Sequence, residues 1–266
     1  MTDSLRDEPP LIPDQRRELL MRHLRREQVL SVHQLTELLG VSHMTVRRDI
    51  ATLEDDGRVT PIPGGVRLVT RVGHEPSRAV KNLAEAPQKN AIAREAAALV
   101  RDDMVIYLDA GTTTLAVAAR IADRSGLTVI TNDFAIVDEL AVTGEIETVH
   151  IGGRVDFDNR STVGLIAAGT LRGLNIDLAL ISASSWSTRQ GVTTPSPEKV
   201  QVKTAAMDAS LTSVLVADST KHGTFSLYKA ADLTDFNAVI TDDALPARAA
   251  ENLRTAGVDL TLARVG

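Results

Sequence analysis

The chain has 266 residues, of which 43% are hydrophobic but only 3% aromatic, and it contains no cysteine. That length allows one large or two ordinary domains with cores of Ala, Val, Leu and Ile, and the missing cysteine excludes disulfides, thiolate catalysis and cysteine-ligated zinc. A formal charge of −6 excludes a uniformly basic coat but not a local one: Pro13 to Leu68 carries nine Arg against eight Asp and Glu (9 − 8 = +1), leaving −6 − 1 = −7 for the remainder.

Residues 1–12 read as a disordered tail. Asp3, Asp7 and Glu8 with no apolar run do not make a signal peptide. No stretch approaches the roughly 20 apolar residues of a membrane span, so a soluble, cytoplasmic chain with no membrane partner is expected. Asp14 to Leu24 predicts a first helix with Leu19, Leu20 and Leu24 inward, and Arg16 placed as a DNA phosphate contact.

The stretch Leu30 to Leu53 organises this part of the chain. Val32, Leu35, Leu38 and Leu39 recur at helical spacing, Gly40 suits a sharp turn, and Ser42 stands where an N-cap belongs. Val46, Ile50 and Leu53 then form the inner stripe of a second helix. A period of 3.6 residues turns Met44, Thr45, Arg48 and Ala51 outward, with Arg47 on the flank and His43 at the start. That is helix, turn, helix over 30–49, and its small, polar, cationic outer face suits the major groove. The plain alternative is a two-helix corner with a solvated charged face. Arg58 to Val69 alternates and carries Pro61, Pro63 and a Gly-Gly turn, as a two-strand wing does. Arg58 joins the DNA-contact set. A winged helix-turn-helix over 13–68 and a linker over 69–88 follow.

The run Leu38-Leu39-Gly40-Val41-Ser42-His43-Met44-Thr45-Val46-Arg47-Arg48-Asp49-Ile50 resembles the signature of the DeoR family of bacterial transcription regulators. Gln15-Arg16 and Gly64-Gly65-Val66 match the family's usual start and wing. Pro63 stands where many members carry His.

From Lys89 onward the pattern changes. Ile92, Ala96, Ala97 and Leu99 predict an amphipathic helix. Strand-like runs at 105–108, 128–131, 148–151, 178–181, 214–217, 238–241 and 260–262 then alternate with helical patterns near 115–123, 134–141, 164–173, 199–210 and 246–256. Such alternation predicts a parallel, Rossmann-like sheet covered on both faces, with ligands at the carboxyl ends of its strands. The fold class is therefore α/β, a winged helix-turn-helix followed by a sheet domain over 89–266.

Asp109-Ala110-Gly111-Thr112-Thr113-Thr114 leads from strand to helix and reads either as an anion site or as an N-capping turn without a ligand. It lacks the Gly-Lys-Ser/Thr ending of a nucleotide-binding Walker loop. Asn132 follows the second run. Gly153 and Arg154 follow the third, and Asp218 and Lys221 follow the sixth. Glu198 and Lys203 lie on the helix after Thr194. Each charge alone is more often a solvated surface group.

These motifs also resemble the DeoR sensor domain, which is similar in fold to ribose-5-phosphate isomerase and glucosamine-6-phosphate deaminase. The resemblance implies an effector that is a phosphorylated sugar or sugar acid. It assigns Gly111, Thr112, Thr113 and Thr114 to phosphate, with Lys203 and Lys221 as cationic partners. Asn132, Asp218 and Glu198 read hydroxyls, and Asp109, Gly153 and Arg154 complete the set. Ile181 to Trp186 (ISASSW) departs from the Gly-rich stretch of many relatives, and Trp186 reads either as pocket lining or as packing. The resemblance further implies double-stranded operator DNA and a second copy of the chain, as dimer or tetramer, as partners. It calls for no cofactor, metal or catalytic residue. The alternatives are an active sugar-phosphate isomerase or deaminase fused to a DNA-binding arm, and an architectural protein indifferent to ligand.

Overall fold

The computed structural model describes residues 11–142 and 144–266. They form two compact units that meet in sequence between Val69 and Thr70. Most of the predicted disordered tail lies outside the described residues.

The first unit comprises α1 (Pro13–Glu27), β1 (Val29–Ser31), α2 (Val32–Leu39), α3 (His43–Asp55), β2 (Val59–Ile62) and β3 (Gly65–Leu68). Pro13 in the first turn of α1 costs no helical hydrogen bond, and Arg25 and Arg26 in its last turn complement the helix dipole. The helix therefore runs past the predicted end at Leu24. A reciprocal cap starts α2: Ser31 Oγ accepts from the Gln34 amide at 3.1 Å, and Gln34 Oε1 accepts from the Ser31 amide at 2.8 Å. Gly40 closes it in the left-handed conformation (φ 63°). Leu20, Leu24, Leu35, Val46, Ile50, Leu53, Val59 and Val66 fill one core. Leu38, expected on the inner stripe, is exposed, because an eight-residue helix with one packed face buries only Leu35 and Leu39.

The predicted two-strand wing is a three-stranded sheet, in the order β1-β3-β2. Gly65 makes the third strand fit: a Cβ there would sit 2.5 Å from the carbonyl oxygen of Leu30, across the Ser31–Gly65 pair.

The second unit comprises α4 (Arg78–Leu83), α5 (Ala86–Ala97), β4 (Val105–Leu108), α6 (Thr112–Ala118), β5 (Thr128–Thr131), α7 (Phe134–Leu140), β6 (Glu147–His150), β7 (Arg154–Asp156), β8 (Ser161–Val163), α8 (Leu165–Leu171), β9 (Ile176–Ile181), β10 (Ser185–Ser187), β11 (Gly191–Thr194), α9 (Pro197–Asp208), β12 (Ser210–Val216), β13 (Tyr228–Ala231), β14 (Ala238–Asp242), α10 (Ala247–Thr255) and β15 (Leu260–Ala263). Seven strands form one parallel sheet in the order β15-β14-β12-β9-β4-β5-β6. The seven predicted strand runs are these seven strands.

Alternation along the strands builds a core on each face. Ile106, Leu108, Leu178, Leu180, Val214 and Val216 pack under α5, α6 and α7. Tyr107, Ala179, Ile181 and Leu215 pack under α8, α9 and α10. Fully burying one such Leu or Ile contributes roughly 1.5–3 kcal/mol.

Two small antiparallel sheets, β7-β8 and β10-β11-β13, were not foreseen. Their strands are short and rich in Ser and Thr, without an apolar run to mark them. The expected linker over 69–88 is also corrected. The Val72 amide donates to the Phe225 carbonyl at 2.7 Å, the Arg78 amide to the Asp158 carbonyl at 3.0 Å, and α4 and the start of α5 lie inside the stretch. The connector from Thr70 is thus part of the second unit, bound by backbone pairs that leave no periodicity in the sequence.

Candidate functional site

In the first unit the Ser42 hydroxyl caps α3, accepting from the Thr45 amide at 3.3 Å and lying 3.0 Å from the Thr45 hydroxyl. That fixes the direction of the helix start. Ser42, His43, Met44, Arg47 and Arg48 are exposed along it, Met44 at 66%, while Thr45 and Arg58 are half-buried. The face expected to carry base and phosphate contacts is thus presented to solvent.

Arg16 is the exception. Its guanidinium clasps both carboxylate oxygens of Asp49, Nη2 at 3.0 Å, and Nη1 donates to the Leu11 carbonyl at 3.2 Å. Asp49 is 2% exposed. The hydrogen bond to Asp49 raises the Arg16 pKa above its ordinary value, against the effect of burial. Its place is a tie between α1 and α3, which a single-helix reading of Arg16 could not see.

In the second unit the sheet order reverses between β4 and β9: from β4 the chain passes to β5 and β6 on one side, then to β9 on the other. Ligands of such sheets bind at this switch point, beyond the strand ends. Asp109 follows β4 and Ser182 follows β9. Asp109 Oδ2 accepts from the Ser182 amide at 3.0 Å and the Ser182 hydroxyl at 2.8 Å. Lys203 of α9 donates to the same oxygen, and to the Ser182 carbonyl at 2.7 Å. Asp109 and Lys203 are both buried. Gly111 packs closely beside them, since a Cβ there would lie 3.0 Å from the Ser182 side chain.

Asn132 knits the neighbouring loop. Its Oδ1 accepts from the Tyr107 hydroxyl and the Ala110 amide, each at 2.9 Å, and its Nδ2 donates to the Thr162 carbonyl at 2.8 Å. Burial and the nearby Asp109 push the Tyr107 phenol well above its ordinary pKa, so it stays a neutral donor. The Gly111 amide donates to Asp133 at 3.0 Å. The Thr114 hydroxyl donates back to the Asp109 carbonyl at 2.6 Å, Thr113 is buried, and Thr112 is half-buried. Asp109, Asn132 and Lys203 share a cavity of about 10 Å³ with Asn159, Ser161 and Lys199, room for about one water.

The remaining expected residues fall into separate pairs. Arg154 and Glu198 meet at 2.9 Å in an exposed ion pair, and the Ser196 hydroxyl, then Arg154, hold Glu198 below the usual carboxylate range. Gly153 packs tightly against Val163 and Ala167. Asp218 pairs with Lys221 at 3.2 Å and accepts from Thr220. Burial pushes the Asp218 carboxyl up, but Lys221, Thr220 and Lys89 together hold it below its ordinary value. Trp186 is fully buried, donates Nε1 to the Asp218 carbonyl at 3.2 Å and meets His222 edge-on. It is a packing residue.

The sequence reading missed the connector's contribution. Glu75 bridges Lys81 at 2.7 Å and Lys199 at 2.6 Å, and Lys81 also donates to Asn159. Arg78 of α4 reaches Asp133 at 2.5 Å. Burial raises the Asp133 carboxyl, and Arg78 with the amides of Ala135 and Gly111 offsets this only in part. Lys199 and Asp133, the partners of Glu75 and Arg78, are 124 and 55 residues away in sequence, so spacing gave no sign of these pairs. Among the described residues no cluster of His, Asp and Glu has the makings of a metal site, and no helix is long and apolar enough to cross a membrane.

Residues 16–72 match the family model of the DeoR-like helix-turn-helix domain, and residues 84–243 match that of the DeoR C terminal sensor domain. The chain is 45% identical over 254 residues to the uncharacterized HTH-type transcriptional regulator YgbI of Escherichia coli (strain K12), covering 96% of this chain and 99% of the relative. It is 35% identical to the transcriptional repressor AccR of Agrobacterium fabrum, covering 82% of this chain and 85% of the relative. Among solved structures, ribose 5-phosphate isomerase A from Methanocaldococcus jannaschii aligns at a TM-score of 0.37 and 21% identity, covering 50% of this chain and 53% of that one.

Proposed function

This chain belongs to the DeoR family of HTH-type transcriptional regulators, and from that premise we propose that it represses a sugar or sugar-acid catabolic operon and is relieved by a phosphorylated sugar or sugar acid. It is a regulator and not an enzyme: YgbI and AccR, which it matches over most of their length, are named as regulators. In this reading α3 enters the major groove with Arg47 and Arg48 toward the DNA. A homo-oligomer presents two such helices to a symmetric operator. The effector shifts the population away from the DNA-competent arrangement, which it can do only by binding one arrangement more tightly.

The observation that carries the effector reading is the convergence of Asp109, Ser182 and Lys203 at the switch point between β4 and β9, where sheets of this kind hold ligands. The test is operator binding. The full chain is titrated onto DNA from its own promoter region, at modest ionic strength, with and without pentose and hexose phosphates and sugar acids. The expected result is specific binding released by one of these compounds. Arg48→Ala is expected to weaken that binding by about 1–3 kcal/mol, or to lower the salt slope by about 1 if Arg48 meets phosphate. Specific binding that every compound leaves unchanged overturns the effector reading. An unaltered affinity and salt slope in Arg48→Ala overturns the assignment of α3.

A further inference from the structure

We infer that Arg78, on α4 of the second unit, grips the anionic group of the effector; this rests on the sensor reading above. Arg78 is 4% exposed. Its Nη1 donates to Asp133 at 2.5 Å and to the Asn159 carbonyl at 3.3 Å, while Nε and Nη2 have no partner within the protein. A guanidinium carries five N–H donors in a planar fork, and buried donors are ordinarily satisfied. Here the donors on one edge of the fork are left over in the interior.

Their surroundings fix the class of ligand. The Asp133 oxygen that holds Nη1 also accepts the Gly111 amide at 3.0 Å, so the guanidinium lies against the Gly111–Thr114 turn. Asn159, its second partner, lines the cavity shared by Asp109, Asn132, Lys199 and Lys203. Ser161 lines the same cavity, and its buried hydroxyl also lacks a partner. The unmet groups are a planar pair of cationic donors with a hydroxyl nearby. A phosphate or carboxylate group, offering two oxygens to the fork, matches them. Glu75 and Lys81 nearby are engaged with each other, and Glu75 also with Lys199, whereas Arg78 keeps buried donors to spare.

A cavity of about 10 Å³ admits no sugar phosphate, so the effector enters only if the residues that close it move. Arg78 contacts that wall through the Asn159 carbonyl.

The test uses the full chain with inorganic phosphate and a panel of pentose and hexose phosphates as probes, read by thermal shift and titration calorimetry. Arg78→Lys keeps a cation opposite Asp133 but removes the paired donors. It is expected to keep its fold and to bind the stabilising phosphate about 10- to 100-fold more weakly. If Arg78→Lys does not fold, the double variant R78M/D133N removes both charges together and is expected to show the same loss. Equal affinity in the folded variant and the wild type overturns the assignment of Arg78 and leaves the sensor reading standing. A wild type that binds no phosphate compound, and no sugar acid tried in the same way, overturns both.

Discussion

Arg16 crosses from α1 to α3 and closes on both oxygens of Asp49, a carboxylate that faces into the helix-turn-helix instead of toward DNA. Among the acids of α3, Asp49 next to Arg47 and Arg48 is turned inward and neutralised, so it does not offset those two exposed cations. The two members of the pair are unequal, since Asp49 is buried more deeply than Arg16.

That inequality sets the first prediction. Arg16→Ala leaves the buried Asp49 carboxylate with only the more distant Arg17, at 3.8 Å, and is expected to cost the first unit about 3 kcal/mol. Asp49→Ala leaves an arginine that can turn to water, so it costs less. The melting transition of the first unit, followed by calorimetry, orders the two variants. Were Arg16→Ala to melt like the wild type yet lose operator affinity with a shallower salt slope, Arg16 would be a DNA phosphate contact as its position in sequence suggests.

How much was legible follows from the range of each interaction. The helix-turn-helix was readable because its determinants are local: the left-handed turn at Gly40, the cap at Ser42, and the spacing of Val46, Ile50 and Leu53. The central sheet strands were readable because a buried strand is a largely apolar run, as in Val105–Leu108 and Ile176–Ile181; β6 (Glu147–His150), at the edge, is polar and half-exposed. The small sheets were not, since Ser185–Ser187 and Gly191–Thr194 are polar and pair only through tertiary contacts. In the candidate site, Asp109 and Lys203 were named but as independent ligand groups. That they bind each other, across 94 residues of sequence, is set by the strand order, which no spacing reveals. Arg78 stood in a stretch without periodicity, and its partner Asp133 lies 55 residues away.

The Asp109–Lys203 pair changes how the sensor is tested. Lys203→Ala strands Asp109 in the interior and is expected to destabilise the second unit by roughly 3–5 kcal/mol. A lost ligand response in that variant therefore reports damage to the fold. Asp109→Asn with Lys203→Met removes both charges and is expected to recover most of the loss, read by denaturant midpoint at constant slope. If Lys203→Ala unfolds at the wild-type midpoint, the pair is not structural and Lys203 is free to serve the effector's anion.

His222 supplies the pH dependence. Its imidazole is buried against Trp186, both ring nitrogens lack a protein partner, and burial pushes its pKa down to about 4. The unfolded value is near 6.5. Between those two values the unfolded chain binds a proton that the folded chain refuses, so stability rises with pH across the window. The contribution is complete above about pH 6.5 and is lost as pH falls toward 4, amounting to about 3 kcal/mol at the lower end. Glu75 acts in a lower window: Lys199 and Lys81 outweigh burial and hold its carboxyl far below the usual range, so its loss begins only below about pH 4.5. His222→Phe keeps an aromatic ring beside Trp186 and removes the titration. Its melting temperature is expected to fall less from pH 7 to pH 5 than that of the wild type, the remaining slope coming in part from His150, whose pKa burial also lowers. Parallel curves for the two proteins over that range would show that His222 is charged or solvated in the folded state, and the buried contact with Trp186 would have to be redrawn.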